Sequence, residues 1–124
     1  NRVFMFDVLE HFSVEDGAKL LSIIKSHLAS DGQIIIRVPN MSSPWGCQYQ
    51  YGDLTHKSAY TPSSMRQLAG SLGLFCSAVY PQKRGSRSRN LLQNILQGAL
   101  NKMLVDPPEI WSANFIAVLG IRKD

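Results

Sequence analysis

The run Gln33-Ile34-Ile35-Ile36-Arg37-Val38, opened by Asp31-Gly32 and stopped by Pro39-Asn40, constrains the fold more than any other feature of the chain. Three isoleucines in succession leave no polar side for solvent, so the run reads as a buried strand of the kind found in α/β sheets. On either side, apolar runs alternate with segments of helical period. Arg2 to Asp7 is a short apolar strand. Ser13 and Asp16 fit a capping box, after which Leu20, Ile23, Ile24 and Leu28 recur at helical spacing and Gly32 ends the helix. His27 falls on the apolar side of that helix and reads as a structural residue. Thr61-Pro62 predicts a second helix entry, with Met65, Leu68, Ala69 and Leu72 as its apolar face. Leu74–Tyr80 reads as a third strand, and the wide apolar stripe from Leu91 to Leu104 as a further helix. Asp106-Pro107-Pro108 breaks the chain before a last strand, Phe115–Arg122. This order predicts an α/β fold with a mostly parallel sheet and helices on its faces.

Length and composition narrow the class. A chain of 124 residues is one domain at most. With 44% hydrophobic and 18% charged residues it is too apolar for disorder. No apolar run approaches the ~20 residues of a transmembrane segment, and no signal peptide is expected. The chain opens directly on strand residues Val3 to Phe6, which suggests a piece of a longer protein. Cys47 and Cys76 form neither a disulfide framework nor a zinc pattern, and read as reduced thiols of a cytoplasmic protein. The net charge is +4, and Lys83, Arg84, Arg87 and Arg89 supply much of it within seven residues. So local a cluster argues against nucleic acid as the partner. A phosphate contact and a solvated loop are both open there.

In open α/β sheets, ligands sit beyond the C-terminal ends of the strands. Two segments leave such ends: Asp7 to Phe12, and the stretch 39–61, which has no clear period. A loop of this length inside a compact domain is usually functional or disordered, and its aromatic content favours order. Trp45, Tyr49 and Tyr51 suit either stacking on a sugar or aromatic ring, or packing of the loop. Asp53 and Thr55 suit either a substrate-covering flap or bonds to their own backbone.

The segment Phe4-Met5-Phe6-Asp7-Val8-Leu9-Glu10-His11-Phe12 resembles the fourth-strand motif of class I S-adenosylmethionine-dependent methyltransferases of the Leu-Glu-His kind. Asp31 to Asn40 resembles their next signature, a glycine turn and a strand ending in Pro-Asn. Tyr51-Gly52-Asp53-Leu54-Thr55-His56 followed by Tyr60-Thr61-Pro62-Ser63-Ser64 resembles a bacterial branch of that family. Residues 1–80 match in order and spacing, residues 81–113 read as a variable insertion, and Phe115 to Lys123 resembles the final antiparallel strand.

The resemblance implies the C-terminal half of a Rossmann-like methyltransferase domain, with the final strand antiparallel between its neighbours. The expected sheet order is Arg2–Asp7, Gln33–Val38, Phe115–Arg122, Leu74–Tyr80. It implies S-adenosylmethionine as cofactor, approached by Asp7, Val8 and Leu9. It makes His11, Glu10 and His56 the catalytic candidates and a small molecule the acceptor, with O-methylation of a sugar or glycan precursor the leading case. The family's glycine-rich loop and its ribose-binding acid do not occur in these residues, so the chain alone is expected to bind the cofactor weakly or not at all.

Some relatives hold a divalent metal with a Glu-x-x-Glu-His arrangement and a distant His. Asp7, Glu10, His11 and His56 are the matching positions, with Asp in place of the first Glu. Carboxylate oxygens and imidazole nitrogens suit Mg, Mn or Zn. The competing reading is that Glu10 caps the next helix and His11 packs in the pocket wall without metal. A homo-oligomer is compatible with the apolar stripe after Arg89. That stripe is expected to cover the sheet or to make an oligomer contact; a membrane-surface helix is disfavoured by its neutral polar face. A truncated, non-catalytic module serving as an interaction surface is the alternative to an enzyme. A dehydrogenase is disfavoured, because the chain contains no Tyr-x-x-x-Lys.

Overall fold

A computed structural model describes residues 1–121. Four strands form one sheet: β1 (Arg2–Phe6), β2 (Gln33–Pro39), β3 (Leu74–Pro81) and β4 (Asn114–Ile121), in the order β1-β2-β4-β3. β1 pairs with β2 in parallel, and β4 runs antiparallel to both β2 and β3. The expected order and the antiparallel insertion are therefore present. β1, β2 and β3 run the same way, yet only one pairing is parallel, because β4 separates the other two. The expected Arg122 end of β4 lies outside the described residues.

The period of two along the strands sorts the sheet into faces. Ile34, Ile36 and Val38 of β2 stand opposite Leu119, Ala117 and Phe115 of β4, and all six are buried. Met5 of β1 joins them. Helix α1 (Val14–Ser26) adds Leu21, the chain just beyond it adds Leu28, and α3 (Pro62–Ser71) adds Met65 and Ala69 to the same core. The Lys25 ammonium donates to the Leu72 carbonyl at 2.6 Å, fastening the end of α1 to that of α3.

The helix entries follow their sequences. Ser13 accepts from the Asp16 N–H, although the Asp16 carboxylate bonds the Ser13 hydroxyl and not the backbone that a full capping box would use. Thr61 and Ser64 close a complete box, with Pro62 in the first turn. His27 departs from expectation: it lies exposed at the C-cap of α1, its Nδ1 against the Ile23 carbonyl at 2.9 Å.

Residues 41–59 leave the sheet and return to it, since Asn40 and Tyr60 pair in parallel and the Met41 N–H donates to the Tyr60 carbonyl. The short α2 (Cys47–Gln50) lies within this excursion. Asn40, fully buried, holds its base. Its amide donates to the carbonyls of Ile110 (2.7 Å) and Ser112 (3.0 Å), and its Oδ1 accepts from the Ser42 N–H and hydroxyl. Gly46 runs so close that a Cβ there would sit 1.8 Å from the Asn40 carbonyl oxygen, leaving room for glycine alone.

The largest departure concerns α4 (Arg87–Met103). Its apolar stripe was expected to cover the sheet or to make an oligomer contact; no residue of the helix is buried, so the stripe does not cover the sheet. A second open surface is β1, which pairs on one side only and exposes Phe4 and Phe6. No helix among the described residues is long and apolar enough to cross a membrane.

Removing the Asn40 clamp leaves two carbonyls without donors in a closed setting. Asn40→Ala is expected to lower unfolding free energy by about 3 kcal/mol, read as a fall in the urea midpoint at unchanged slope.

Candidate functional site

β1 ends at Asp7, whose backbone adopts the left-handed conformation (φ 56°), unusual for a residue other than glycine but tolerated by Asp. The chain then turns through a 3-10 turn, Leu9–His11, at the C-terminal mouth of the parallel β1–β2 pair. That turn drives the Leu9 side chain into the core and carries Glu10 inward as well, 1% exposed. The backbone carbonyl of Glu10 accepts from the N–H groups of Lys57 (2.8 Å) and Ser58 (3.2 Å). These bonds fold the returning arm of the excursion onto the turn and set His56 beside His11, their ring centroids 4.7 Å apart in an edge-on arrangement.

Glu10, His11 and His56 each offer a ligand atom, and these atoms lie within 4.8 Å of one another. Hydrogen bonds determine which nitrogens are free. The Thr55 hydroxyl donates to the Asp53 carboxylate at 2.6 Å, so it accepts from His11 Nδ1 at 2.9 Å. His56 Nδ1 faces the Gln50 carbonyl at 2.9 Å, which only accepts. In its neutral form each ring therefore carries its proton on Nδ1 and has its lone pair on Nε2. His56 Nε2 lies 3.8 Å from Asp53 Oδ2, beyond hydrogen-bond reach.

The carboxylate of Glu10 is held in an unusual state. Its Oε2 is buried with no hydrogen-bond partner, as is the nearby Tyr60 hydroxyl. Burial pushes the Glu10 carboxyl above its ordinary value, and the Asp7 charge adds to that; the imidazoles partly oppose it. Burial also raises the Tyr60 phenol. In contrast, hydrogen bonds from Thr55 hold the exposed Asp53 carboxyl low.

The sequence-derived candidates are thus brought together unequally. Glu10, His11 and His56 converge. Asp7 does not join them as a ligand, because Arg37, opposite Phe6 in the parallel register, binds its carboxylate through two nitrogens. The same guanidinium lies over the Phe6 ring at 5.0 Å. Val8 is exposed at the mouth, whereas the buried Leu9 side chain can reach no cofactor, which leaves Leu9 only its backbone for that role. Thr55, Asp53 and Gln50 were not assigned the tautomer-setting task they perform. The Asp-x-Thr-His spacing in the loop was the available signal, since an Asp binding the hydroxyl two residues on is a common turn device. Of the loop aromatics, Tyr49 lies beneath Arg84 and accepts from it at 3.2 Å, while Trp45 and Tyr51 stay exposed.

No family model matches the chain, and no curated protein is detectably similar in sequence. Solved structures do match. A SAM-dependent methyltransferase from Archaeoglobus fulgidus superposes with a TM-score of 0.64 at 20% identity, over 95% of this chain and 57% of that one. An O-methyltransferase from neocarzinostatin biosynthesis, in complex with S-adenosylmethionine and 2-hydroxy-5-methyl naphthoic acid, gives 0.63 at 13% identity, over 98% of this chain and 28% of that one. A pericyclic reaction enzyme gives 0.64 at 15% identity, over 98% and 26%. The chain therefore spans between about a quarter and three fifths of the length of these proteins. The class that the fold defines is a partial class I methyltransferase-like α/β domain, and at such identities the likeness extends to the fold alone.

The buried carboxyl yields a pH-dependent expectation. Above the ordinary glutamate value of 4.5 the unfolded chain releases a proton that the folded chain retains, so stability falls as pH rises from there through the raised value. Glu10→Gln removes this loss. In a chelating buffer, thermal unfolding of the variant is expected about 4 °C above the parent near pH 8, the size of a ~1 kcal/mol gain. The difference should vanish near pH 4; a gain equal at both pH values would contradict the assignment.

Proposed function

We propose that the chain carries the acceptor side of an S-adenosylmethionine-dependent methyltransferase acting on a hydroxyl of a small molecule, with a sugar or glycan precursor the leading acceptor. The observation that carries the reading is the convergence of Glu10 with two imidazoles whose Nε2 lone pairs are free, at the C-terminal mouth of a parallel strand pair. Ligands of open α/β sheets bind at that end. Structures sharing the fold include O-methyltransferases with S-adenosylmethionine or its demethylated product bound.

When bound, S-adenosylmethionine supplies an electrophilic methyl group on a sulfonium sulfur. The chain's own task is to present an oxygen in line with that methyl and to take its proton. His11, half-exposed at the mouth, is the general base: its Nε2 accepts the hydroxyl proton while Nδ1–H remains bound to Thr55. His56 and Glu10 support it, the first by edge contact and the second as a buried acid. Val8 and the Asp7 backbone face the cofactor.

The cluster also fits a divalent metal. A buried carboxylate oxygen without a partner and two Nδ1-protonated imidazoles form a three-ligand set with open positions, of the kind suited to Zn or Mn. Glu10, His11 and His56 would hold the ion, which would lower the pKa of an acceptor hydroxyl. Asp53 stands where it could replace Asp7 in support. A cytoplasmic setting accords with two free cysteines.

The reading is tested by methyl transfer from radiolabelled S-adenosylmethionine to a panel of sugars, using the chain within its complete reading frame. His11→Ala is expected to cut turnover about 100-fold, and unchanged turnover removes His11 from the chemistry. In calorimetry, the 124-residue chain alone should bind the cofactor weakly or not at all. Titration with Zn or Mn should stabilise the parent and leave His56→Ala unmoved if the cluster is a metal centre.

A further inference from the structure

Helix α4 keeps most of its apolar side away from the domain. Its amide side chains Asn90, Gln93, Asn94 and Gln97, with Leu96 and Leu100, line a cavity of about 730 Å³ shared with Trp111 and Tyr49. Its apolar side looks out: Leu91 is 62% exposed, Leu92 68%, Ile95 63% and Met103 79%. Leu104 and Val105 extend this surface past the helix end. A soluble domain rarely leaves a contiguous patch of aliphatic side chains uncovered, so something covers it.

Charge identifies the occupant. From Leu54 to Val105 the chain carries no Asp or Glu, and Lys83, Arg84, Arg87, Arg89 and Lys102 lie on α4 or immediately before it. A second copy docked through this face would bring cationic segments together with Asp106, just past Val105, as the nearest acid to set against five cations. An acidic, apolar surface answers both features at once. We propose that α4 lies in the headgroup layer of an anionic lipid bilayer, with its aliphatic face in the acyl boundary and its basic leader among the phosphates. The amide face then stays toward the domain and its cavity, which explains why its polar side carries Asn and Gln in place of the lysines typical of such helices. The six outward residues are exposed, so none is needed by the core. This inference is independent of the methyl-transfer reading.

The test is flotation of the full chain with phosphatidylcholine vesicles, either pure or containing about one third phosphatidylglycerol. At low salt, partition into the anionic vesicles should exceed that into neutral ones about tenfold or more, and added salt should erode the difference. Leu92→Gln with Ile95→Gln should reduce vesicle binding about tenfold, and Arg87→Glu with Arg89→Glu should remove the preference for anionic lipid. Failure of the parent to float with anionic vesicles overturns the proposal. So does equal binding by the Leu92→Gln, Ile95→Gln variant, or a concentration-dependent dimer abolished by that variant while no vesicle binding occurs.

Discussion

The site depends on one backbone atom, the carbonyl oxygen of Glu10. Two N–H groups, from Lys57 and Ser58, converge on it. Without them the backbone of the returning arm would lose its direct tie to the turn, and the placing of His56 against His11 would rest on side-chain bonds such as Thr55 to His11. The same residue thus does two jobs. Its main chain tethers the loop, and its side chain is thereby sealed from water, which raises its carboxyl and leaves Oε2 without a partner. Tether and perturbed acid are consequences of one turn at the end of β1. Strain supports this economy: Asp7 occupies a left-handed conformation so that the chain can reverse into the 3-10 turn.

The sheet was legible because its information is local. A run such as Ile34-Ile35-Ile36 is compatible with little other than a buried strand, and the spacing of turns and caps followed from Gly32 and Thr61-Pro62. The order of strands, with β4 inserted between β2 and β3, came from the resemblance and not from periodicity. Convergence of Glu10 with His11 was legible from their adjacency. That of His56 also rested on likeness, since Thr55 and His11 are 44 positions apart and only the fold brings them together.

What failed to show in the sequence involves partners across the fold. Asp7 was a natural metal ligand by spacing, but the parallel register sets Arg37 beside it, and register is invisible in a single strand. His27 lay on the apolar side by periodicity, yet the helix ends there and its ring turns back to the Ile23 carbonyl. Leu9 belonged to the matching motif but points into the core, because the 3-10 turn rotates it away from the mouth. The α2 turn and Leu9–His11 are too short for any period to announce them.

The α4 stripe is the most instructive of these cases. Helical periodicity identified which side of α4 is apolar and is silent on what that side meets. The usual inference, that an apolar stripe faces the sheet, assumes that the nearest apolar surface is the domain's own. Here the core is already closed by Leu21, Leu28, Met65 and Ala69, and the edge of the sheet near α4 offers a cavity where Gln48, Gln82 and Asn114 stand beside Trp111 and Ile110. A helix with amides on one side and aliphatics on the other meets that edge best with its polar side. The apolar side is then left largely outward by the same complementarity that seats the helix, within a stretch from Leu54 to Val105 that carries no acid. Hydrophobic patterning thus decided the orientation of α4 through its polar half.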